Sequence, residues 1–474
     1  MNEPKASVSQ VDYPTLAPQR PPTARLVRRV TAFTAACLLI SNMIGTGIFG
    51  TTGFMARDLG SPAVILLLWA LGGGFALIGA MCYSELGAAL PRAGGEYVYI
   101  RQAYGPLLGF LSGWTSFTIG FSAAIALNAY LFATHLRQLI PALDSTAAAG
   151  GFATYLIHPT AIGLLMVWAL TGVHVLGVGA GGFLQRVLTT IKVGTIVLFV
   201  LAAVAAGGGD WRHLTEARLD VPLRASAILV SFLFVTFSYS GWNAATYIAG
   251  EMADPARSIP RAAIGGTVVV AVLYLALNVI YFYALPAVAL AGDPIEPVAQ
   301  KSAVALWGPA VARWMTAMLC VSILGAASAM IWAGPRVYFA MASDGVFPAV
   351  FARTSGAGGT PVRSIILQSL WVSALVLLGG FEELVSYASS VLILFAALAV
   401  GAVLILRRRR PDLDRPYRVA PYPLLPLVYL AVSVVVLWAA FQVRPWHSLL
   451  GVATVVAGIP FYILAAWRAA RTRA

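Results

Sequence analysis

The chain has 474 residues, 59% of them hydrophobic and only 10% charged, with a mean hydropathy of +0.83. Soluble globular proteins carry about 25% charged residues, so the composition excludes a water-soluble enzyme or binding module and specifies an integral membrane protein. The net charge of +13 would suggest nucleic acid in a soluble chain; here its distribution reads as a membrane-orientation signal, and nucleic acid is not an expected partner.

Residues 1–30 are polar, contain Pro14, Pro18, Pro21 and Pro22, and read as a disordered cytoplasmic tail. No charged, apolar and cleavage-site pattern precedes the first apolar run, so that run is expected to be a retained helix. Apolar stretches of about 20 residues then recur, each long enough for a hydrocarbon core of about 30 Å. The spans are expected near 32–57, 62–90, 105–138, 158–177, 184–207, 225–251, 262–286, 304–342, 363–380, 383–406, 424–443 and 448–468. The third and eighth are too long to stand upright and read as tilted or extended past the interface. The fold class is therefore all-α integral membrane, with about twelve helices in one transmembrane domain over 31–470, because no loop is long enough to hold a soluble domain.

With the amino terminus inside, about 22 Lys and Arg fall on the cytoplasmic side and about eight outside. The first group includes Arg28, Arg29, Arg92, Arg101, Arg257, Arg261 and the Arg407–Arg410 run; the second includes Arg57, Arg137, Arg212 and Arg444. This asymmetry predicts a multi-pass cell (inner) membrane protein with both termini cytoplasmic. Cys37, Cys82 and Cys320 lie inside predicted spans, without metal-ligand spacing or a disulfide framework. Neither a metal nor a cofactor is expected.

Two spans carry small or turn-prone residues near mid-membrane. The first reads Ser41-Asn42-Met43-Ile44-Gly45-Thr46-Gly47-Ile48-Phe49-Gly50; the sixth reads Thr236-Phe237-Ser238-Tyr239-Ser240-Gly241-Trp242-Asn243. Glycine in membrane helices serves close packing as readily as unwinding. Interrupted segments at corresponding places in two halves, however, point to a binding site in transporters built from inverted repeats. On that pattern repeat one covers about 32–207, repeat two about 225–406, and two extra helices about 424–468. The runs Gly72–Gly74 and Gly177–Gly182 are expected to serve packing and a cytoplasmic loop, respectively.

Lys192 stands alone in the fifth span with no Asp or Glu within helical reach. A charge at that depth costs several kcal/mol and marks a functional site by default. An unwound helix also exposes backbone groups that survive in a membrane only where they line a cavity or bind something. Amides opening the second half-helix receive a carboxylate, and carbonyls closing the first receive an ammonium. That arrangement suits a zwitterionic α-amino acid. The expected carboxylate donors are the N–H groups of Thr46 and Gly47; the expected ammonium acceptors are the carbonyls of Met43, Ile44, Phe237 and Ser238.

The Gly45-Thr46-Gly47-Ile48-Phe49 segment resembles the first-helix signature of the amino acid–polyamine–organocation superfamily. Phe237-Ser238-Tyr239-Ser240-Gly241-Trp242-Asn243, with Glu251-Met252-Ala253-Asp254-Pro255 and Ile259-Pro260-Arg261-Ala262, resembles the sixth helix of its L-type amino acid transporter branch. Pro91-Arg92-Ala93-Gly94-Gly95-Glu96-Tyr97, Pro335-Arg336 leading to Ser343-Asp344-Gly345, and Arg410-Pro411-Asp412-Leu413-Asp414-Arg415-Pro416-Tyr417 follow in the same order. The resemblance runs from about residue 30 to the carboxyl end. It implies a LeuT-like fold with a five-plus-five inverted repeat, discontinuous helices 1 and 6, and alternating access. It also implies an amino acid held near Gly45, Ser240 and the neighbouring backbone, with Phe237 as an aromatic gate. Lys192 matches a fifth-helix lysine of sodium-independent members, its ammonium standing near the place of a sodium ion. The unwound Met43–Gly45 backbone and Ser322 are its expected acceptors, with Ser328 the alternative.

Two departures from the family pattern matter. Many relatives carry Gly where Ser240 stands, and a serine there is expected to favour small neutral substrates. Residues 138–157 contain no cysteine, so a disulfide-linked heavy chain is not an expected partner. Among other polar residues, Glu85 reads as an interfacial or inner-gate ion pair, with a proton-carrying role as the alternative. Arg336, Glu251, Asp254 and Arg257 fit either a cytoplasmic gate network or loop solvation. His174 reads as a hydrogen-bonded packing residue. Trp242 and Asn243 either line the site or stabilise the break.

The expected function is sodium-independent transport of neutral L-amino acids by exchange or facilitated diffusion. Proton-coupled uptake is the alternative; a non-transporting sensor or a membrane-embedded enzyme is more distant. An enzyme would need paired carboxylates, a nucleophile with its base, or a metal cluster near mid-membrane, and the sequence offers none.

Overall fold

The computed structural model describes residues 26–143, 158–217, 221–291, 297–356, 359–379 and 381–471, with the backbone alone described at 142, 381–389 and 469–471. Most of the expected tail and of the cysteine-free 138–157 segment lies outside these residues. The described residues form helices and short turns, with only two isolated β-bridges.

Helix starts follow local chemistry. Helix α1 (Ala32–Met43) begins where the Thr31 hydroxyl accepts the Thr34 N–H at 3.3 Å. Helix α2 covers Gly47–Leu59. Ser61 caps α3 (Pro62–Ala89), which has proline in its first turn. These are the side-chain acceptor and the pre-set φ that a helix amino end requires. Then come α4 (Glu96–Tyr104), α5 (Pro106–Thr115) and α6 (Ser122–Leu139), the last two joined by a π-type turn over Ser116–Gly120.

Helix α7 covers Pro159–Val175, α8 Val178–Ala206, α9 Ala225–Ser238 and α10 only Ala244–Tyr247. Asp254 caps α11 (Pro255–Ala284). The remainder are α12 (Val298–Trp307), α13 (Ala312–Ser343), α14 (Val362–Leu378), α15 (Phe381–Arg409), α16 (Leu424–Val443), α17 (Pro445–Val456) and α18 (Gly458–Arg471).

Among the described residues, nine helical segments are long and apolar enough to cross a membrane; α7, α9 and α14 are shorter apolar helices. Together they account for the twelve expected spans. Exposed Leu165 (72%), Trp314 (76%) and Leu377 (67%) belong on a lipid-facing surface.

The structure corrects three expectations. Gly177–Gly182 is not a loop: α8 starts at Val178, and only Gly177, at φ +123°, lies outside it. Gly181 instead lets α8 approach α7, since a Cβ there would lie 2.5 Å from His174 Nδ1. The eighth span does not continue back to 304, because Gly308, at φ +80°, ends α12. The last span is divided at Ala457 into α17 and α18. Gly72 and Gly73 do serve packing, lying against Val235 and Tyr239 of the sixth span.

Helix α1 is enclosed by α8, α11 and α13, while α11 also packs along α3. A second apolar cluster joins α6, α7, α13 and α14 through Ile125, Val167, Ile331 and Val372. The two clusters meet on α13.

Candidate functional site

Both expected interruptions are present. The first helix stops at Met43, Ile44 takes φ −77° and ψ 85°, and helix resumes at Gly47. The sixth stops at Ser238 and resumes at Ala244, with Gly241 at φ +103°. A side chain at residue 241 would be strained by that φ and would also lie 2.6 Å from Asn42 Nδ2.

The breaks lie against one another. A Cβ on Gly47 would stand 2.6 Å from Ser238 Oγ and 3.2 Å from Ser238 Cα. Asn42 Nδ2 donates to the Gly241 carbonyl at 3.3 Å, and Thr51 Oγ1 lies 3.2 Å from Ser238 Oγ. From α11, the Tyr274 hydroxyl lies 2.7 Å from the Met43 carbonyl and 3.1 Å from that of Ser238. One phenol therefore spans the carbonyl ends of both half-helices.

Gly45, Thr46 and Gly47 are partly exposed, and Phe237 and Ser240 are exposed, whereas Met43, Ile44, Tyr239 and Trp242 are buried. The Thr46 and Gly47 N–H groups precede the first intrahelical bonds of α2 and have no side-chain cap. They present a positive dipole end with open donors, the geometry that receives an anion.

The expected carbonyl set is only partly open. Met43 O already accepts the Gly45 N–H at 2.9 Å in addition to the Tyr274 hydroxyl. Ile44 O accepts Lys192 Nζ at 2.7 Å and Ser322 Oγ at 3.1 Å. A carbonyl has two lone pairs, so Met43 and Ile44 are withdrawn as ammonium acceptors. Their carbonyls hold the break open from within the protein. Phe237 O is likewise taken, by the N–H groups of Ser240 at 2.9 Å and Tyr239, so on the sixth-helix side capacity remains at Ser238 O, whose described donor is the Tyr274 hydroxyl.

The Lys192 side chain is fully buried and points to the first break. Its Nζ donates to Ser41 O at 3.0 Å, Ser41 Oγ at 3.3 Å and Ile44 O at 2.7 Å. Gly325 of α13 backs this site, and a Cβ there would run into Ser41 Oγ and lie 3.2 Å from Lys192 Nζ. Ser322 reaches the lysine through their shared acceptor, Ile44 O. Ser328 is not a partner, because its hydroxyl lies 3.0 Å from His174 Nε2. His174 is accordingly a hydrogen-bonded packing residue.

Away from the breaks, Glu251 and Arg336 form a buried ion pair. Arg336 Nη2 and Nε reach Glu251 Oε1 at 2.7 and 3.0 Å, and Trp332 Nε1 donates to Oε2 at 2.9 Å. The Glu251 carbonyl accepts the N–H groups of Arg29 and Val30, tying this cluster to the start of α1. Asp344 binds Arg92 at 2.8 Å, Arg101, and the Tyr97 hydroxyl at 2.9 Å. Burial, reinforced by the Asp344 charge, pushes the Tyr97 phenol above its ordinary pKa. Glu85 is held by Arg407 at 2.6 and 2.8 Å and by the Val419 N–H at 2.8 Å, an ion pair as expected.

Trp242 and Asn243 stabilise the sixth-helix break. The indole packs edge-on against Tyr83, and the Asn243 amide donates to Glu96 Oε1 at 2.7 Å. Ser41, Asn42, Tyr274 and Glu96 are absent from the expected site. Ser41 and Asn42 could have been found because they stand in the interrupted motif itself. Nothing in the sequence around Tyr274 announces its contact with two carbonyls.

Residues 30–460 match the family model described as amino acid permease. The chain is 26% identical to the b(0,+)-type amino acid transporter 1 of Mus musculus, over 93% of this chain and 88% of that protein. It is 27% identical to the Asc-type amino acid transporter 1 of Mus musculus, over 94% and 82%. With the large neutral amino acids transporter small subunit 2 of Rattus norvegicus the identity is 26%, over 93% and 81%. With twelve apolar helical segments among the described residues, two adjoining breaks and a family match along nearly its whole length, the chain belongs to the amino acid permeases of the APC superfamily: it is a multi-pass membrane transporter and not an enzyme.

Proposed function

We propose that this permease carries neutral L-amino acids by sodium-independent alternating access, as an exchanger or facilitator. The carrying observation is the Lys192 ammonium, tethered by α8 and donating to Ser41 O, Ser41 Oγ and Ile44 O. Oxygen acceptors gathered beside an unwound helix are what a sodium ion would require, and here a covalently held cation serves them. The substrate carboxylate binds at the Thr46 and Gly47 amides. Its ammonium binds at the Ser238 carbonyl.

Neither break carries a charged side chain, which favours neutral substrates, and exposed Ser240 favours small ones. Phe237, 40% exposed, acts as the gate. The buried Glu251–Arg336 pair closes the end of the site bounded by α1 and α10. Alternating access must open it, since a carrier works by exposing one site to each side in turn. We assign about 32–207 and 225–406 to inverted repeats, 424–468 to an appended pair, and both termini to the cytoplasmic face of the cell membrane. No disulfide-linked partner enters this scheme.

Uptake of labelled neutral amino acids into proteoliposomes tests it. The expected result is uptake without sodium, accelerated by unlabelled amino acid inside; strict dependence on a sodium gradient overturns it. Proton-coupled uptake is a second reading, favoured by the full burial of Lys192 with no carboxylate among its partners. Accumulation driven by a proton gradient alone, and lost in Lys192→Met, would establish it.

A further inference from the structure

The Gly94-Gly95-Glu96 turn places a carboxyl group against the sixth-helix break. Gly94 and Gly95 take φ +113° and +49°, and the Gly94 N–H donates to the Tyr247 carbonyl at 3.0 Å. A Cβ on Gly95 would lie 2.7 Å from the Tyr247 ring. Only glycine allows this approach, and it brings Glu96 beneath the residues that link α9 to α10.

Glu96 is 4% exposed. Its Oε1 accepts the Tyr83 hydroxyl and the Asn243 amide, both at 2.7 Å, and the Tyr247 hydroxyl is a further donor. Asn243 Nδ2 also lies 3.2 Å from Tyr247 Oη. The titratable groups facing the carboxyl are Tyr83 from α3, Tyr99 from α4 itself, Tyr247 from α10 and Tyr429 from α16.

Among the described residues Glu96 has no ion pair. Nearby charges on elements packed against α4 are engaged elsewhere: Asp344 with Arg92 and Arg101, Arg407 with Glu85, and Arg409 with the Ala103 carbonyl. A buried carboxylate without a cation is disfavoured against its neutral acid. Glu85 and Glu251, equally buried, both have arginines.

We infer that Glu96 is a proton-binding site, and that its proton governs how firmly the segment Gly241–Tyr247 is held against α3 and α4. When the group is ionised, Asn243, Tyr83 and Tyr247 make charge-assisted hydrogen bonds to it; when it is protonated, the same bonds are neutral and weaker. Asn243 stands two residues from Gly241, whose carbonyl holds Asn42 beside the first break. Proton uptake therefore loosens the cytoplasmic half of the sixth helix and its link to the first. The effect on transport rests on the proposed alternating-access function; the proton site does not.

The test is an infrared pH titration of the purified full-length protein in lipid, with the proton as the only ligand. A buried carboxylic-acid C=O band should be present at acid pH, titrate away on raising the pH, and be missing from Glu96→Gln. Tyr83→Phe removes a donor to the ionised form and should move the midpoint to higher pH, which serves if Glu96→Gln does not fold. Uptake of a mixture of labelled neutral L-amino acids should rise several-fold as pH falls and become pH-independent in Glu96→Gln. A band unchanged by Glu96→Gln, or a midpoint unmoved by Tyr83→Phe, overturns the proton site. A titrating Glu96 band in a protein that takes up no amino acid would refute the transport reading alone.

Discussion

Gly47 and Ser238, 191 positions apart in the chain, stand so close that a methyl group on the first would overlap the hydroxyl of the second at 2.6 Å. The contact joins the start of α2 to the end of α9 and thereby defines one site from two broken helices. Gly47→Val is expected to weaken substrate binding about tenfold to a hundredfold, since overpacking costs about 1–3 kcal/mol. Ser238→Gly in the same protein should recover part of the loss. Substrate-induced thermal shifts measure both; normal affinity in Gly47→Val would remove the first-helix amides from the site.

Lys192→Ala leaves Ser41 O without its ammonium donor, although Ile44 O keeps Ser322. Stability should fall by about 1–3 kcal/mol, while the protein still inserts. Transport should fall more than about tenfold, a change equivalent to about 1.4 kcal/mol, because the break loses the cation that orients it. Wild-type turnover in proteoliposomes would sink the assignment.

Tyr274→Phe removes one proton shared between two carbonyls. The expected loss of stability is about 0.5–1.5 kcal/mol, that of one ordinary hydrogen bond. Substrate affinity should change as well, because Met43 O and Ser238 O are freed together. Calorimetry with and without amino acid separates these effects; an unchanged affinity would limit Tyr274 to packing.

Arg336→Met strands the Glu251 carboxylate with Trp332 as its remaining side-chain donor. Removing one partner of a buried pair costs about 3–5 kcal/mol, whereas replacing both with apolar groups is much milder. Arg336→Met paired with Glu251→Leu should therefore be more stable than Arg336→Met alone. A double-mutant cycle on thermal unfolding in detergent decides the matter, and additive losses would argue against the pair.

Burial raises the folded pKa of Glu96 above its ordinary value of 4.5. The folded state therefore binds this proton more tightly than the unfolded state. The associated stability is fully present below that ordinary value and is lost as pH rises through the folded pKa. The unfolding temperature of the wild type should fall over that window relative to Glu96→Gln. Parallel profiles in the two proteins would contradict the burial argument.

The sequence by itself determined the solvent, the class and the sites of interruption. Apolar runs of bilayer length admit no soluble fold, and every backbone polar group in such a run must find an internal partner. Gly45-Thr46-Gly47 and Ser238-Tyr239-Ser240-Gly241 therefore stood out as places where a span need not remain helix, and Lys192 as a charge that must be answered. These are local facts of composition and spacing.

Which carbonyl answers which donor was decided only by the tertiary structure. Met43 and Ile44 looked open to a ligand because the Tyr274 hydroxyl and Ser322 approach from helices more than two hundred residues away in the chain. Ser328 looked eligible for Lys192, but His174 takes it, across a contact that Gly181 allows. Glu96 stood only as one member of the Pro91–Tyr97 motif, and two positive-φ glycines carry it beneath Asn243. A hydrogen bond is directional and limited to a few ångströms, so its partner follows from helix packing and cannot be read from distance along the chain.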